Sequence, residues 1–159
     1  MIKYKKMTEA RFIADSMLGK LAKWLRLAGL DVSYKNDIED HVLIDQALSE
    51  DRIILTRDRN IKKRKIVKKC LLIHSDHLEE QIRQFFETYK IIDTERSFCR
   101  CIRCNTLLKD IEKRALTGKV PAYVLETNDK FKQCDSCNRI YWAGTHRENA
   151  ERFLRRVIP

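Results

Sequence analysis

Two C-x-x-C pairs, Cys101/Cys104 in CIRC and Cys134/Cys137 in CDSC, have 29 residues between them in a chain of 159 and leave its C-terminal part little choice of fold. Four thiolates within reach of one centre form a closed, tetrahedral structural zinc site. Both pairs continue into asparagine, as CIRCN and CDSCN, which suits a zinc knuckle whose turn takes left-handed backbone angles just after the second cysteine. We expect Zn²⁺ on Cys101, Cys104, Cys134 and Cys137 in a small ribbon. Disulfides or a redox pair are disfavoured for an intracellular chain. Cys99 competes with Cys101 as a ligand, and the C-x-x-C spacing selects Cys101. Cys70 reads as an interior strand residue, and His146 is not required by a site that already holds four thiolates.

Upstream of the cysteines the pattern changes. RFIA (11–14), LDVSY (30–34), RIILT (52–56) and CLLIH (70–74) are short apolar runs, interleaved with amphipathic stretches at 17–28, 40–50 and 77–89. At a helical period Met17, Leu18, Leu21, Ala22, Trp24, Leu25 and Ala28 share one arc, with Lys20, Lys23 and Arg26 assigned to the opposite side. Val42, Leu43, Ala47 and Leu48 make the second helix face, and Gly29 is the expected stop of the first helix. Strands alternating with helices predict an α/β region with a mainly parallel sheet, whose functional crevice lies beyond the carboxyl ends of the strands. KIIDTERS is the expected junction between this region, residues 1–95, and a ribbon with a C-terminal helix, residues 96–159.

Aspartates recur where the strands end. Asp15 directly follows the first run, Asp40 opens the second helix, Asp58 stands two positions beyond the third run and Asp76 two beyond the fourth, at sequence separations of 25, 18 and 18. In a parallel sheet all four would reach one rim. Each alone is an ordinary cap or turn residue. Together they repel one another unless cations neutralise them, and hard oxygen ligands suit Mg²⁺ or Mn²⁺. The chain is also basic, with 33 Lys+Arg against 23 Asp+Glu and a formal charge of +10, which favours a polyanionic partner such as nucleic acid. No apolar run approaches the ~20 residues that span a bilayer, and MIKYKKMTEARF lacks the apolar core of a signal peptide. No membrane partner and a cytoplasmic setting are therefore expected.

In that order, FIADSMLGKLAKWLRLAGLDV, DHVLIDQA, RIILTRDRN, HSDHLEEQI, RCIRCNTLL, VPAYV and CDSCNRIYWAGTH resemble the PIN-like ribonuclease domain found at the C terminus of the Mut-seven type exonucleases and in stand-alone prokaryotic proteins. The resemblance runs from Arg11 to about His146. It implies a PIN-like fold with a zinc ribbon and metal-dependent hydrolysis of RNA that leaves a 5′-phosphate and a 3′-hydroxyl. It also implies Asp15, Asp40 and Asp58 as the acids that hold the metal, with Asp76 as a fourth and Asp37 close by. Some relatives carry a further acid where this chain has Asn60.

Cations are available for the phosphates. KKRKIVKK (62–69) places six in eight positions after the third strand. Lys62, Lys63, Arg64 and Lys65, Arg57 and Arg59 of TRDRN, and Lys20, Lys23 and Arg26 of the first helix are the candidate RNA contacts, although a solvated face explains such a run equally well. Thr56 is placed to orient a ligand carboxylate or a water, and Tyr141 and Trp142 either stack on bases or fill the ribbon core. Two functions stay open. One is a Mg²⁺- or Mn²⁺-dependent ribonuclease assisted by its ribbon; the other is an RNA-binding or scaffolding module without turnover. Because thiolates and acids are remote in sequence, loss of zinc is expected to leave the strand–helix region folded.

Overall fold

The computed structural model describes residues 9–91 and 96–158, so the middle of the expected junction lies outside the described residues. The four apolar runs form parallel strands β1 (Arg11–Ala14), β2 (Asp31–Tyr34), β3 (Ile53–Thr56) and β4 (Cys70–Leu72), in the spatial order β2-β1-β3-β4. Between and after them come α1 (Gly19–Leu27), α2 (Asp40–Ser49), α3 (Arg59–Lys63) and α4 (Leu78–Tyr89). Alternate strand residues point to opposite faces. Phe12, Ala14, Val32 and Leu55 pack with the buried residues of α1 and α4, while Ile13 and Ile54 pack with those of α2 and α3. A sheet buried on both faces requires apolar side chains at successive positions, which is why the runs are continuous.

The strand order locates the working end. From β1 the chain crosses to β2 with α1 on one face, then returns past β1 to β3 with α2 on the other. Right-handed crossovers demand that the face change when the direction reverses. The reversal opens a crevice between the carboxyl ends of β1 and β3, where open α/β sheets hold ligands.

Several local expectations are corrected. The first helix is preceded by a 3₁₀ turn, Ser16–Leu18, and Met17 is 60% exposed instead of sharing the apolar arc. On α2 the buried residues are Leu43, Ile44 and Ala47, while Val42 and Leu48 face outward. The start of the basic stretch is helical in α3, pinned by the buried Ile61. Cys70 begins β4 but is only half-buried. Gly29 does stop α1: its φ is 90°, and Gly29 N–H and Leu30 N–H donate to the Arg26 and Leu25 carbonyls at 3.0 Å each. These bonds form a Schellman closure. A Cβ there would sit 2.3 Å from the Arg96 carbonyl oxygen, so only glycine fits.

Arg26 requires the largest correction. It stands one helical turn beyond Ala22, so its period puts it beside the apolar arc and not opposite it. It is 4% exposed, and it donates from Nε to the Val32 carbonyl at 2.8 Å and from Nη1 to the Ile102 and Arg103 carbonyls at 2.9 Å each. A guanidinium buried on three carbonyls does not reach RNA.

The C-terminal part is an antiparallel sheet of β5 (Lys109–Ile111), β6 (Phe131–Gln133) and β7 (Ile140–Trp142), with α5 (Ala122–Thr127) packed on it around Leu116, Val124 and Phe131. The final helix, α6 (Thr145–Val157), returns to the first region. Phe153 lies 4.3 Å, centroid to centroid, from Trp24, and Val157 joins the core beneath α1 and α4.

Candidate active site and zinc cluster

At the crevice the carboxyl ends of β1 and β3, some 41 positions apart in the chain, are joined through one carboxylate. Asp15 is 6% exposed and caps the 3₁₀ turn, with Oδ1 accepting from Met17 N–H at 2.9 Å. Its Oδ2 accepts from Arg57 N–H at 3.0 Å and from the hydroxyl of the fully buried Thr56. The Thr56 hydroxyl oxygen in turn accepts from Asp58 N–H at 2.9 Å. Asp58 caps α3, its Oδ1 accepting from Asn60 N–H at 2.7 Å. The chain Asp15–Thr56–Asp58 thus bridges the switch point, and the expected orienting role of Thr56 has a geometric basis.

The other acids are placed differently. Asp40 lies in the first turn of α2 with its carboxylate 3.5 Å from the Arg64 guanidinium, so Arg64 is engaged on an acid. Asp76 is exposed beyond β4, with His77 at 3.5 Å, and Asp37 is exposed beside Lys35 at 3.6 Å. Among the described residues the only group of three or more acidic, histidine or cysteine ligand atoms within 4.8 Å of one another is the cysteine cluster. The four aspartates share a rim without converging on one point. That does not exclude Mg²⁺, which keeps several waters and is commonly held through one or two carboxylates together with substrate phosphate.

Next to Asp15 a cleft of about 600 Å³ opens between α1, the ends of β2 and β3, and the start of α4. Its walls include Met17, Lys20, Lys23, Tyr34, Arg57 and Asp76. Lys20, Lys23 and Arg57 are among the cations expected from the sequence, whereas Tyr34, at the end of the edge strand, belongs to no motif. Lys62, Lys63, Lys65 and Arg59 are exposed on or just after α3.

The four cysteine sulfurs form the second centre. All lie within 4.8 Å of one another, and Cys101 Sγ and Cys137 Sγ are 3.7 Å apart, close to the ~3.8 Å edge of a tetrahedron with Zn–S bonds of about 2.3 Å. Cys101 and Cys134 are fully buried. Asn105 and Asn138 take φ of 67° and 58°, the left-handed turn expected after each pair. Burial alone would raise the Cys101 thiol, but hydrogen bonds from the Tyr141 hydroxyl, at 3.1 Å, and from the Cys104 and Arg103 amides outweigh it and bring its pKa to about 6. Cys104 is pushed up to about 12, first by desolvation and then by its contacts with Cys137 and Cys101. One thiolate forms readily and its neighbour then resists, so four thiolates together require a cation. The cluster is compatible with structural Zn²⁺, and Cys99 and His146 stand outside it. Tyr141 is a hydrogen-bond partner of Cys101 Sγ in the cluster, and Trp142 packs on the ribbon core.

The knuckle is also docked on the edge of the parallel sheet. Asn105 Oδ1 accepts from Val32 N–H at 3.0 Å and its Nδ2 donates to Asp31 Oδ1 at 2.8 Å. Arg52 reaches the same carboxylate at 2.6 Å, and the Arg100 guanidinium lies 3.7 Å away. Asp31 begins β2, so this junction lies at the rim opposite the aspartate chain.

A family model described as Mut7-C RNAse domain matches residues 10–154. No curated protein and no solved structure matches. Among the described residues no helix is long and apolar enough to cross a membrane.

Proposed function

Since the chain belongs to the Mut7-C RNAse domain family, we propose that it hydrolyses RNA phosphodiester bonds at its switch-point aspartates with Mg²⁺ or Mn²⁺, and that Zn²⁺ holds its ribbon. The observation that carries this reading is the buried Asp15 carboxylate coupled through Thr56 to Asp58 at the crevice between β1 and β3. A carboxylate taken from water in a stand-alone turn would be a poor choice of cap; beside a ligand crevice it is a prepared oxygen donor. Asp15 and Asp58 would hold the ion, with Asp76 and Asp40 farther along the rim. A divalent ion held there would supply a water activated for in-line attack and positive charge for the departing oxygen.

The rest falls to the chain itself. Three hydrogen bonds fix the direction of the Asp15 carboxylate, which leaves one unused electron pair, on Oδ1, held without reorganisation. Arg57, Lys20 and Lys23 draw the phosphate chain into the cleft. By family membership the products are expected to carry a 5′-phosphate and a 3′-hydroxyl.

A binding module without turnover is favoured by one feature, the use of Asp58 as the cap of α3. The two readings separate on Asp58→Asn. Asparagine caps nearly as well as aspartate, so a purely structural Asp58 predicts unchanged behaviour. A metal-holding Asp58 predicts that cleavage of labelled RNA in Mn²⁺ falls ~100-fold or more, with folding and RNA binding retained. Asp15→Asn should lose cleavage as well, together with some stability, because its amide NH₂ must face one of the three donors on that buried carboxylate; wild-type rates in both folded variants would remove the nuclease assignment.

A further inference from the structure

The cleft beside Asp15 holds more than cations. Tyr34 closes one side, with its hydroxyl 3.3 Å from the Ser16 carbonyl and 3.1 Å from Asn36 Oδ1. Its ring lies against Gly19, where an added Cβ would meet the hydroxyl oxygen at 2.5 Å and a ring carbon at 2.7 Å. Gly19 has ordinary helical angles, with φ of −59°, so the absence of a side chain there is required by the ring and not by the backbone. Met17, 60% exposed, adds a polarizable apolar wall. Lys20, Lys23 and Arg57 line the same space, and none forms an ion pair with a described residue. The site is wired to the acids: the backbone amides that hold the Asp15 carboxylate are those of Met17 and Arg57, whose side chains line the cleft.

We propose that this cleft seats one unpaired nucleotide of the substrate, its base against Tyr34 and Met17 and its flanking phosphates on Lys20, Lys23 and Arg57, and thereby selects single-stranded RNA. The inference rests on RNA being the substrate, as above. Phosphate contacts alone would accept any strand geometry. A base held in a duplex has both faces covered by its neighbours, whereas an unpaired base can leave the stack and meet an aromatic ring. A volume of about 600 Å³ lies within the range of pockets that enclose a ligand. A cleft with an apolar end and a cationic end matches the two halves of a nucleotide.

The test is equilibrium binding in EDTA, so that no cleavage is needed, of a fluorescent single-stranded oligoribonucleotide and of the same strand in a duplex. Wild-type protein should prefer the single strand. Tyr34→Ala should weaken single-strand binding by about fivefold to a hundredfold and leave duplex binding nearly unchanged. Gly19→Ala, a substitution that favours helix, should weaken it too by displacing the ring, and Met17→Ala, at an exposed position, should weaken it less. Tyr34→Phe should bind like wild type. Lys20→Ala and Lys23→Ala should each lower the slope of log affinity against log salt by about 0.7. If Tyr34→Ala fails the circular dichroism check, Gly19→Ala and Met17→Ala decide. Folded variants that bind single strand and duplex as wild type does would overturn the proposal, as would equal binding of both RNAs by wild type. Should the pattern hold while wild-type protein cleaves nothing in Mn²⁺, the nuclease reading fails and this one stands; cleavage with indifferent variants gives the reverse.

Discussion

Thr56 shows how much one side chain can carry. It is fully buried, its hydroxyl hydrogen goes to Asp15, and its oxygen receives the Asp58 amide. Valine has its shape without either bond, so Thr56→Val leaves a buried carboxylate oxygen and an amide short of partners at a cost of about 1–3 kcal/mol. Activity should fall about 10–100-fold through kcat with KM for RNA nearly constant, and Thr56→Ser should recover most of it. Steady-state rates on one RNA would show whether KM moves instead. At the other rim Asp31 supplies a pH signature. Burial alone would raise its carboxyl, but hydrogen bonds from Arg52 and Asn105, with the charges of Arg52 and Arg100, hold it below the usual carboxylate range. A lowered folded-state pKa stabilises the protein above the ordinary carboxylate value of about 3.9, and that contribution disappears as pH falls through the lowered value. Asp31→Asn should therefore cost about 1.5–3 kcal/mol at neutral pH and much less in strong acid, as urea midpoints at the two pH values would reveal.

At the scale of elements, the docking of the knuckle on β2 changes what a zinc ion on the four cysteines would stabilise. Sequence separation suggested that the strand–helix region would survive its loss. Yet Asn105 pairs with the edge of β2, Arg26 ties α1 and β2 to the Ile102 and Arg103 carbonyls, and Phe98 N–H bonds to the Leu27 carbonyl at 2.8 Å. Cys134→Ser should release roughly one zinc per chain and lower the melting temperature of the whole molecule, not of the ribbon alone. The aspartate chain lies at the other rim, so the rate per folded molecule should change little at low temperature. Two thermal transitions, with the second at the wild-type temperature, would show that the parts are independent after all. The strands, their parallel pairing and the four thiols were legible because each rests on a local pattern: continuous apolar runs or fixed cysteine spacing. The docking was not, because Arg26 and Asn105 act across 73 to 77 positions of chain and more than one element, and a polar side chain that satisfies distant backbone groups looks in sequence like any solvated one. The cleft escaped for a related reason: Tyr34, Met17 and Gly19 become a wall only once α1 lies beside β2.

Across the whole molecule the excess of positive charge has a direction. The formal charge of +10 predicts attraction to RNA but not where it lies. The basic stretch, taken as one unit in the sequence, is divided by the fold. Lys62 and Lys63 end α3, which starts at the rim that carries Asp15 and Asp58. The chain must then return to the opposite rim before entering β4, because β3 and β4 are parallel. Lys69 is already there: its carbonyl accepts from Ile54 N–H at 3.0 Å at the start of β3, and its ammonium lies 2.6 Å from Asp51. Only the first half of the stretch can follow a phosphate chain that passes the aspartates. Lys62→Gln/Lys63→Gln should weaken binding of single-stranded RNA in EDTA and lower the salt slope by up to about 1.4, two contacts at ~0.7 each. Lys68→Gln/Lys69→Gln removes the same formal charge and should leave both nearly unchanged, because at physiological salt the Debye length of ~8 Å screens the far rim. All four side chains are exposed, so neither double variant threatens the fold. Equal losses from the two pairs would mean that binding follows net charge alone, and the path of RNA along the aspartate rim would have to be abandoned.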